Sequence, residues 1–301
     1  MPELPEVETI VRGLDQRVAG DTIESVWIGS RKQPLKSPAA IIAATLEGKR
    51  IVRVHRAGKH IVFDLEGPSR ASQPTTKNGA RTVRRKTRQA VSLPNSSDET
   101  AQWIVHLGMT GRLMISEPAA DVAKHTHLIA KMASGRELRF IDPRMFGKLS
   151  VHLPSEAGRF DPGGVEPLQV SEEVLVALFR GRKTPIKSAL LNQKLLRGVG
   201  NIYADESLFR AGIRPRRRAA SITREQLGRL HSAVREVLRE AIALGGSSIS
   251  DYVDADGEEG FFQLQHRVYG REGKPCLVCG TAIRRIVLSS RSSHYCPKCQ
   301  K

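Results

Sequence analysis

Pro275-Cys-Leu-Val-Cys279 and Cys296-Pro-Lys-Cys299 decide the fold of the last part of the chain. Each Cys-x-x-Cys turn directs two thiolates at one ion, and two such turns complete a tetrahedral zinc site with Zn–S bonds of about 2.3 Å. The sequence contains only these 4 cysteines. Because four protein ligands leave no open position, we expect one structural Zn²⁺ per chain on Cys276, Cys279, Cys296 and Cys299. Redox or disulfide pairs are the alternative, but neither pair has thioredoxin-like strand–helix context.

The segment between the two cysteine pairs is predicted to form a β-hairpin. Residues 281–288 are β-prone, residues 289–292 are typical of a turn, and residues 293–295 return towards the second pair. Zinc would hold the base of this hairpin and leave Arg291 near its tip, where a guanidinium can meet a phosphate. A solvated turn arginine is the simpler interpretation, and the charge of the rest of the chain favours the phosphate.

The composition favours a polyanionic partner. Lys and Arg number 48 against 31 Asp and Glu, which gives a net charge of +17 over 301 residues. Such a balance is typical of nucleic-acid binding, although charge alone does not distinguish DNA, RNA and the ribosome. No apolar run approaches the ~20 residues of a membrane span, and the opening is acidic and proline-rich. We therefore expect neither a membrane protein nor a secreted one.

The N-terminal half combines one helix with many short strands. Apolar residues recur at helical spacing over residues 5–18. Short β-prone runs follow at residues 23–28, 51–55, 61–65, 103–107, 112–115, 127–132 and 137–141. Their number and spacing predict a β-sandwich or a barrel. Residues 67–100 interrupt the pattern with few core-forming side chains, and we expect a disordered or mobile basic insertion there. It could add nucleic-acid affinity or be passive.

The pattern becomes helical after Phe160-Asp-Pro-Gly-Gly164, which we interpret as part of a linker. Helices are predicted near residues 174–179, 186–194, 202–211 and 227–242. The turn Arg197-Gly-Val-Gly-Asn201 precedes the third of them, and a glycine turn at a helix N-terminus suits a phosphate. Lys187 and Asn201 flank this turn as candidate phosphate contacts.

The opening Met1-Pro-Glu-Leu-Pro-Glu-Val-Glu-Thr9, taken with the zinc hairpin, resembles the bacterial formamidopyrimidine-DNA glycosylase family. Further matching motifs cover almost the whole chain: Arg56-Ala-Gly-Lys59, His106-Leu-Gly-Met-Thr-Gly111, Asp142-Pro-Arg-Met-Phe-Gly147, Gly198-Val-Gly-Asn-Ile-Tyr-Ala204 and Val268-Tyr-Gly-Arg-Glu-Gly273. Residues 67–100 depart from the family pattern as an insertion, and Met145 stands where a basic residue is common.

The resemblance implies an α+β multidomain fold with DNA in the cleft between its lobes. Its parts would be an N-terminal catalytic β-sandwich, a linker, a helix–two-turn–helix module and a zinc-ribbon-like β-hairpin finger. We place these parts at residues 1–153, 154–170, 171–266 and 267–301.

The resemblance also implies a base-excision DNA repair enzyme that is both a glycosylase and an abasic-site lyase. Such an enzyme excises oxidised purines (8-oxoguanine, formamidopyrimidines) and nicks the strand by β,δ-elimination. Once Met1 is removed, Pro2 is a secondary amine, and an α-amino group has a pKa of about 7.7–8.0 against about 10.4 for lysine. Pro2 can therefore attack C1′ and form an iminium intermediate. By resemblance Glu3 is the proton donor, Lys59 assists around the lesion, and Glu6 and Arg291 support the site.

The expected partner is double-stranded DNA that contains oxidised bases or abasic sites. A stacked base cannot react, so the damaged nucleotide must be flipped out. The resemblance assigns the filling of the gap to Met109, Arg144 and Phe146. It assigns phosphate contacts to His106, Lys187, Asn201 and Arg291. We expect a monomer in the bacterial cytoplasm, held at the nucleoid through DNA.

Two alternatives stay open on the residues alone. One is a related glycosylase for oxidised pyrimidines, although Leu4-Pro5 after Glu3 favours the purine branch. The other is a zinc-finger DNA-binding protein without catalysis. The presence of Pro2, Glu3 and Lys59 argues against that second alternative.

Overall fold

The first helix, α1 (Leu4–Val18), begins with Pro5 in its first turn, and the Glu6 carboxylate accepts the backbone N–H of Glu3 at 2.7 Å. Its apolar stripe is buried against the sheet that follows, as the helical spacing predicts. Leu4 belongs instead to the core of the helical half. The start of α1 therefore lies where the two halves of the molecule meet.

We describe the protein from a computed structural model, which covers residues 2–67, 101–153, 156, 159–248, 255, 257–258 and 260–301. Except for Gly67, the basic insertion predicted at residues 67–100 lies outside these residues. Within them, no helix is long and apolar enough to cross a membrane.

Two four-stranded antiparallel sheets form the N-terminal half. In sheet order, the first contains β2 (Arg50–Ala57), β3 (His60–Glu66), β4 (Ala101–His106) and β8 (Lys148–His152). The second contains β1 (Ile23–Ile28), β6 (Thr126–Met132), β7 (Glu137–Ile141) and β5 (Arg112–Ser116). Alternate side chains of both sheets enter one shared core, in which Phe63 stacks on Trp103 with ring centroids 4.6 Å apart. The predicted fold class is confirmed, and the architecture is a sandwich and not a barrel.

Three element predictions need correction. The helix α2 (Ala39–Leu46) was not predicted because its almost uniformly apolar sequence shows no helical periodicity. The strand β8 was not predicted, although β5 and β7 have the same length and were, and its pairing with β4 is what identifies it as a strand. The helix predicted over residues 186–194 ends at residue 190, since residues 191–197 form the turns that lead to the glycine-rich segment.

Among its described residues, the helical half contains four α-helices: α3 (Glu172–Phe179), α4 (Ile186–Leu190), α5 (Asn201–Arg210) and α6 (Arg224–Ala243). Thr223 and Gln226 cap the start of α6 reciprocally, at 3.2 and 3.1 Å. The helices bury a second core that is separate from the core of the sandwich.

The predicted β-hairpin is confirmed as β9 (Arg284–Leu288) and β10 (Arg291–Tyr295). Arg291 pairs with Leu288 directly beside the two-residue turn, so it lies at the hairpin tip as expected. The hairpin packs against α5 through β10. This packing brings the tip towards the N-terminal end of α5.

Candidate active site and DNA interface

The N-terminus is fixed between the two halves of the protein. Pro2 is buried, and the backbone N–H of Leu4 donates to the carbonyl of Gly198 at 3.0 Å. Since Leu4 is anchored in the helical core, Pro2 and Glu3 are held against the glycine-rich turn that precedes α5.

Glu3 is buried, with only 4% of the residue exposed, so its carboxyl group is desolvated. Its Oε1 accepts the backbone N–H of Ile202 at 3.4 Å, and its Oε2 has no hydrogen-bond partner among the described residues. Burial raises the pKa of Glu3 to about 7, with Glu6 adding to the rise while Lys59 and the N-terminus oppose it. A carboxyl group with this pKa is half protonated near neutral pH, as a proton donor requires.

Gly200 leaves the space that Glu3 occupies. A Cβ at this position would lie 2.1 Å from Cδ of Glu3, far inside van der Waals contact. The glycine-rich turn thus exposes backbone N–H groups and also leaves room for the Glu3 carboxyl group at the N-terminal end of α5.

Glu6 has a different environment although it is equally buried. Its Oε1 accepts the Tyr203 hydroxyl and the backbone N–H of Ser247, the latter at 2.8 Å, while its Oε2 accepts Glu3 N–H. Burial raises the pKa of Glu6, and these donors oppose the rise. Its oxygens are occupied by α1, α5 and the segment after α6, so Glu6 joins the three elements around Glu3.

Lys59 lies in the tight turn between β2 and β3 and is partly buried. Burial lowers the pKa of its ammonium group, while the charges of Glu3 and Glu6 oppose the fall and Arg291 adds to it. Lys59, Glu3 and Arg291 come from a β-turn, the first helix and the zinc hairpin. Glu3 and Arg291 both lie near enough to Lys59 to influence its pKa, so these three predicted catalytic residues lie in one region of the structure.

Asn201 and Arg291 form the side of the site next to the hairpin. Asn201 is the first residue of α5, and its Nδ2 donates to Oγ of Ser292 at 3.4 Å. Arg291 immediately precedes Ser292 and is exposed. Amide and guanidinium donors thus converge beside the N-terminus of a helix, which is an arrangement that suits a phosphate.

Lys187 occupies a different position from the other predicted phosphate contacts. It is only 1% exposed, and its Nζ lies 2.7 Å from Oδ1 of Asp205 and donates to the carbonyl of Ser292 at 2.6 Å. The other oxygen of Asp205 accepts the backbone N–H of His294 at 2.8 Å. In this structure the ammonium of Lys187 therefore clamps the main chain of β10 from within the protein and does not face solvent.

Met109, Arg144 and Phe146 form an exposed edge on the sandwich half. Met109 is 41% and Phe146 is 52% exposed, so both present apolar surface at this edge. The guanidinium of Arg144 lies over the ring of Phe146, 5.0 Å from its centroid. Gly108, at φ +65°, allows the two loops to lie close together, because a Cβ there would lie 2.5 Å from the backbone N of Gly147.

Asp142 fixes the geometry of this edge from below. It is fully buried, and its carboxylate accepts the Thr110 hydroxyl at 2.6 Å and the backbone N–H groups of Arg144 and Gly147 at 3.2 and 2.7 Å. Both loops that carry the exposed side chains are therefore tied to one carboxylate.

His106 ends β4 at the base of the Met109 turn. Its Nδ1 accepts the backbone N–H of Gly108 at 3.0 Å, so in the neutral ring Nε2 carries the proton. Burial, with the nearby His60, Lys148 and Lys59, lowers the pKa of His106 to about 4. At neutral pH His106 is therefore an uncharged hydrogen-bond donor and not a cation.

The four cysteines meet the geometric requirement of a zinc site. Their Sγ atoms all lie within 4.8 Å of one another, with 3.9 Å between Cys276 and Cys299 and 3.5 Å between Cys279 and Cys296. A regular tetrahedron with Zn–S bonds of about 2.3 Å has edges of about 3.8 Å. The backbone N–H groups of Val278 and Cys299 also point at cysteine sulfurs. The predicted zinc site is confirmed as a closed, structural one.

Comparison with known proteins gives the same arrangement. Three family models match in succession: the formamidopyrimidine-DNA glycosylase N-terminal domain at residues 1–149, its H2TH domain at residues 164–253, and a zinc finger found in FPG and IleRS at residues 273–301. A formamidopyrimidine-DNA glycosylase of Solibacter usitatus is 43% identical over the full length of both chains. The chain belongs to the formamidopyrimidine-DNA glycosylase family.

Solved structures of this family share the fold. The MutM (FPG) protein of Thermus thermophilus is 38% identical, with a TM-score of 0.79 over 99% of this chain and 98% of that one. A mutant of the Lactococcus lactis FPG in complex with a Fapy-dG containing DNA is 31% identical, with a TM-score of 0.82 over all of both chains. The predicted family and enzyme class, a DNA glycosylase and lyase of base excision repair, are thereby confirmed. The domain boundaries and the roles of individual residues remain predictions.

Sequence reasoning about this glycosylase did not single out Tyr203, Asp205 or Asp142. All three residues lie within or beside quoted motifs: Tyr203 is in Gly198–Ala204, Asp205 follows it directly, and Asp142 is the first residue of Asp142–Gly147. The motifs therefore marked the segments that contain these residues, but not the individual residues. Which member of a motif bonds to a distant group depends on contacts that only the folded chain makes.

Proposed function

We propose that this glycosylase flips oxidised purines out of duplex DNA, excises them through a covalent intermediate on Pro2, and then cuts the strand at the abasic site. The single observation that carries the proposal is Glu3. A buried carboxyl group with a pKa of about 7 lies directly beside the residue that becomes the N-terminal amine, with one oxygen that no described group engages. A purely structural carboxylate would have its oxygens satisfied, as those of Glu6 are.

The first chemical step joins the protein to the sugar. With Met1 removed, the lone pair of the Pro2 nitrogen attacks C1′, the bond from C1′ to the base breaks, and the base leaves with that electron pair. The alkylated nitrogen then loses its N–H proton, which balances the proton that the departing base takes up, and its lone pair becomes available to form the C1′=N bond. Glu3 in its protonated form donates to the sugar ring oxygen, the ring opens, and C1′ becomes an iminium carbon.

The second stage cuts the strand. The iminium withdraws electrons and makes the C2′ proton acidic, and ionised Glu3 is the group positioned to accept a proton. Elimination then breaks the bond from C3′ to the phosphate oxygen, and a further elimination breaks the one at C5′. A glycosylase that used water as the nucleophile would stop after base removal.

Lys59, Arg291 and Asn201 support these steps in different ways. Lys59 is partly buried beside Glu3 and supplies positive charge near the reacting sugar. Arg291 and Asn201 are proposed to bind the phosphates that flank the flipped nucleotide, and charge-assisted bonds of this kind fix the register of the DNA. Because Lys187 is buried on Asp205, we propose that it holds the hairpin and does not touch phosphate itself.

Met109, Arg144 and Phe146 are proposed to fill the space that the flipped nucleotide leaves. Two large apolar side chains exposed on tied loops can enter a base step at little conformational cost, and Arg144 can bond to the base that has lost its partner. His106 would donate Nε2–H to a phosphate beside this gap.

The proposed substrate class is based on what similar proteins are named for and have been crystallised with. The Solibacter usitatus relative carries the name formamidopyrimidine-DNA glycosylase, and Lactococcus lactis Fpg structures contain Fapy-dG DNA and abasic-site DNA. A further Lactococcus lactis structure contains an oxidised pyrimidine. We propose that this chain acts on oxidised purines first, as a monomer in the bacterial cytoplasm, with double-stranded DNA as its partner.

Borohydride trapping tests the proposal. The purified zinc-loaded protein, shown by mass spectrometry to begin at Pro2, is incubated with duplexes that contain 8-oxoguanine, a formamidopyrimidine, an oxidised pyrimidine or an abasic site. We expect a covalent adduct that maps to Pro2, and faster base release from the purine duplexes. Base release without an adduct would refute the iminium mechanism, and faster release of the pyrimidine would favour the alternative substrate class.

A further inference from the structure

Three aromatic rings lie in a row on the sandwich half, outside the catalytic site described above. The rings of His106 and His60 are 4.9 Å apart between centroids, and the rings of His60 and Phe160 are 5.1 Å apart. His60 and His106 are directly paired on β3 and β4. The row begins at the linker with Phe160 and ends at His106, beside the Met109 turn.

The hydrogen bonds of the two histidines define their orientation. His106 uses Nδ1 to accept the backbone N–H of Gly108, which leaves Nε2–H as its donor. The Nδ1 of His60 lies 3.2 Å from the carbonyl of Ala57, which only accepts, so His60 donates from Nδ1. Burial lowers the pKa of both rings, with Lys148 adding to the fall. Both are neutral near neutral pH and pack without charge repulsion.

Phe160 is held firmly at the other end of the row. Its backbone N–H donates to the side chain of the buried Gln102 at 2.7 Å, and Gln102 in turn donates to Asp64 at 2.6 Å. The Phe160 ring packs on a small apolar cluster of the sandwich formed by Ala57, Val62 and Ile104. The linker thus contributes a fixed side chain to the outer face of the first sheet.

The same stretch of linker contacts the helical half. Asp161 accepts a hydrogen bond from Arg197 at 2.9 Å, and the backbone of Arg197 pairs with Val165 at 3.0 Å. Phe160 is therefore adjacent to a residue tied to the glycine-rich turn. The ring row joins that connection to the loop that carries Met109.

We propose that His60 is a positioning residue for DNA binding: packed between Phe160 and His106, it holds the His106 ring with Nε2–H ready for a phosphate and keeps the Met109 turn in place. This inference rests on the proposed function only for the role of His106 as a DNA contact. The His60 ring lies between the other two, tilted by 58° to His106 and by 70° to Phe160, and its packing restricts rotation of the His106 ring before DNA arrives, so less ordering of that ring accompanies binding.

A double-mutant cycle on DNA binding tests the inference without requiring catalysis. Dissociation constants are measured for a duplex with a tetrahydrofuran abasic analogue, using the full-length zinc-loaded protein and its His60→Ala, His106→Ala and double variants. We expect His60→Ala to weaken binding about fivefold, the value of one positioned hydrogen bond. In the His106→Ala background the same change should cost less than about twofold, because there is no ring left to position. Equal losses in both backgrounds would overturn the proposal.

Two further variants separate positioning from loss of structure. His60→Phe keeps the ring and removes the hydrogen bond to Ala57, and we expect it to retain binding within about twofold of wild type. His231→Ala is the matched control, since His231 is a buried histidine of α6 whose Nε2 lies 2.8 Å from the carbonyl of Val170, outside the row. It should leave the affinity within about twofold. If His60→Phe unfolds at the same temperature as wild type but binds DNA as weakly as His60→Ala, the proposal is contradicted.

The proposed function can fail independently of this inference. If the wild-type protein binds the tetrahydrofuran duplex but forms no borohydride adduct with the lesion or abasic-site duplexes, the iminium mechanism is refuted. The cycle between His60 and His106 would still be measured in the same protein, and coupling between them would support the positioning role.

Discussion

Replacing Glu3 with glutamine should stabilise the protein while abolishing its activity. Glu3 is buried beside the N-terminus, and burial is the largest cause that raises its pKa from 4.5 to about 7. Below the lower value the carboxyl group is protonated in both the folded and the unfolded chain. Above the lower pKa, Glu3 ionises in the unfolded chain but stays protonated in the folded one, so the free energy of unfolding falls as the pH rises. The fall stops above the higher pKa, where Glu3 is ionised in both states.

The size of the effect follows from the two pKa values. A change from 4.5 to about 7 corresponds to a loss of about 3 kcal/mol in the free energy of unfolding at alkaline pH. Glutamine is neutral at every pH and escapes this loss. The advantage of Glu3→Gln over wild type should therefore grow by about 2 kcal/mol between about pH 5.5 and about pH 8.5.

Urea unfolding at both pH values measures this difference, with the fluorescence of the fully buried Trp103 as the probe of the sandwich core. Glu24→Gln, an exposed change on β1, is the control and should alter the free energy of unfolding by less than about 0.5 kcal/mol at either pH. Comparing proteins at the same pH cancels any effect of acid on the zinc site. A difference between Glu3→Gln and wild type that does not change with pH would refute the assignment of a desolvated, ionisable Glu3.

Five other changes should have distinct effects. Pro2→Gly keeps a terminal amine but loses the secondary one and its restrained geometry, so excision should fall strongly while the dissociation constant for damaged DNA changes little; an unchanged excision rate in a single-turnover assay would contradict this. Cys296→Ser should release zinc, loosen the hairpin and weaken DNA binding, as metal analysis and binding titrations would show, and full activity of a zinc-free protein would disprove the structural role. Lys187→Met should destabilise the fold by about 3 kcal/mol, because it leaves a buried carboxylate without its partner; a loss of DNA affinity with unchanged unfolding would instead identify Lys187 as a phosphate ligand. His106→Ala should weaken binding without changing the slope of log affinity against log salt, since a neutral donor releases no counterion, whereas Arg291→Ala should make the slope shallower by about 0.9.

Much of the architecture could be predicted because its signals are local. The helical spacing of residues 5–18 and the β-prone runs that follow it predicted the right element types at nearly the right places. Elements whose signal is tertiary were missed: α2 lacks a polar face, and β8 is a strand because β4 lies beside it. Lys187 is the instructive residue of the site, since its position beside a glycine turn suggests a phosphate contact and only the fold reveals Asp205 beneath it.

The sequence by itself determined the zinc hairpin and the family, and it supplied the prediction of which groups do the chemistry. Cysteine spacing fixes a metal geometry within a few residues, and a motif such as Met1–Thr9 preserves its chemistry wherever the chain places it. Only the tertiary structure decided the proton affinity of Glu3, the tautomer of His106 and the burial of Lys187. These properties depend on how much water is removed and which donors are supplied by atoms far away in sequence, such as Ile202 for Glu3 and Ser292 for Lys187. Desolvation is a property of a volume that several segments enclose together, and no single segment of sequence encodes it.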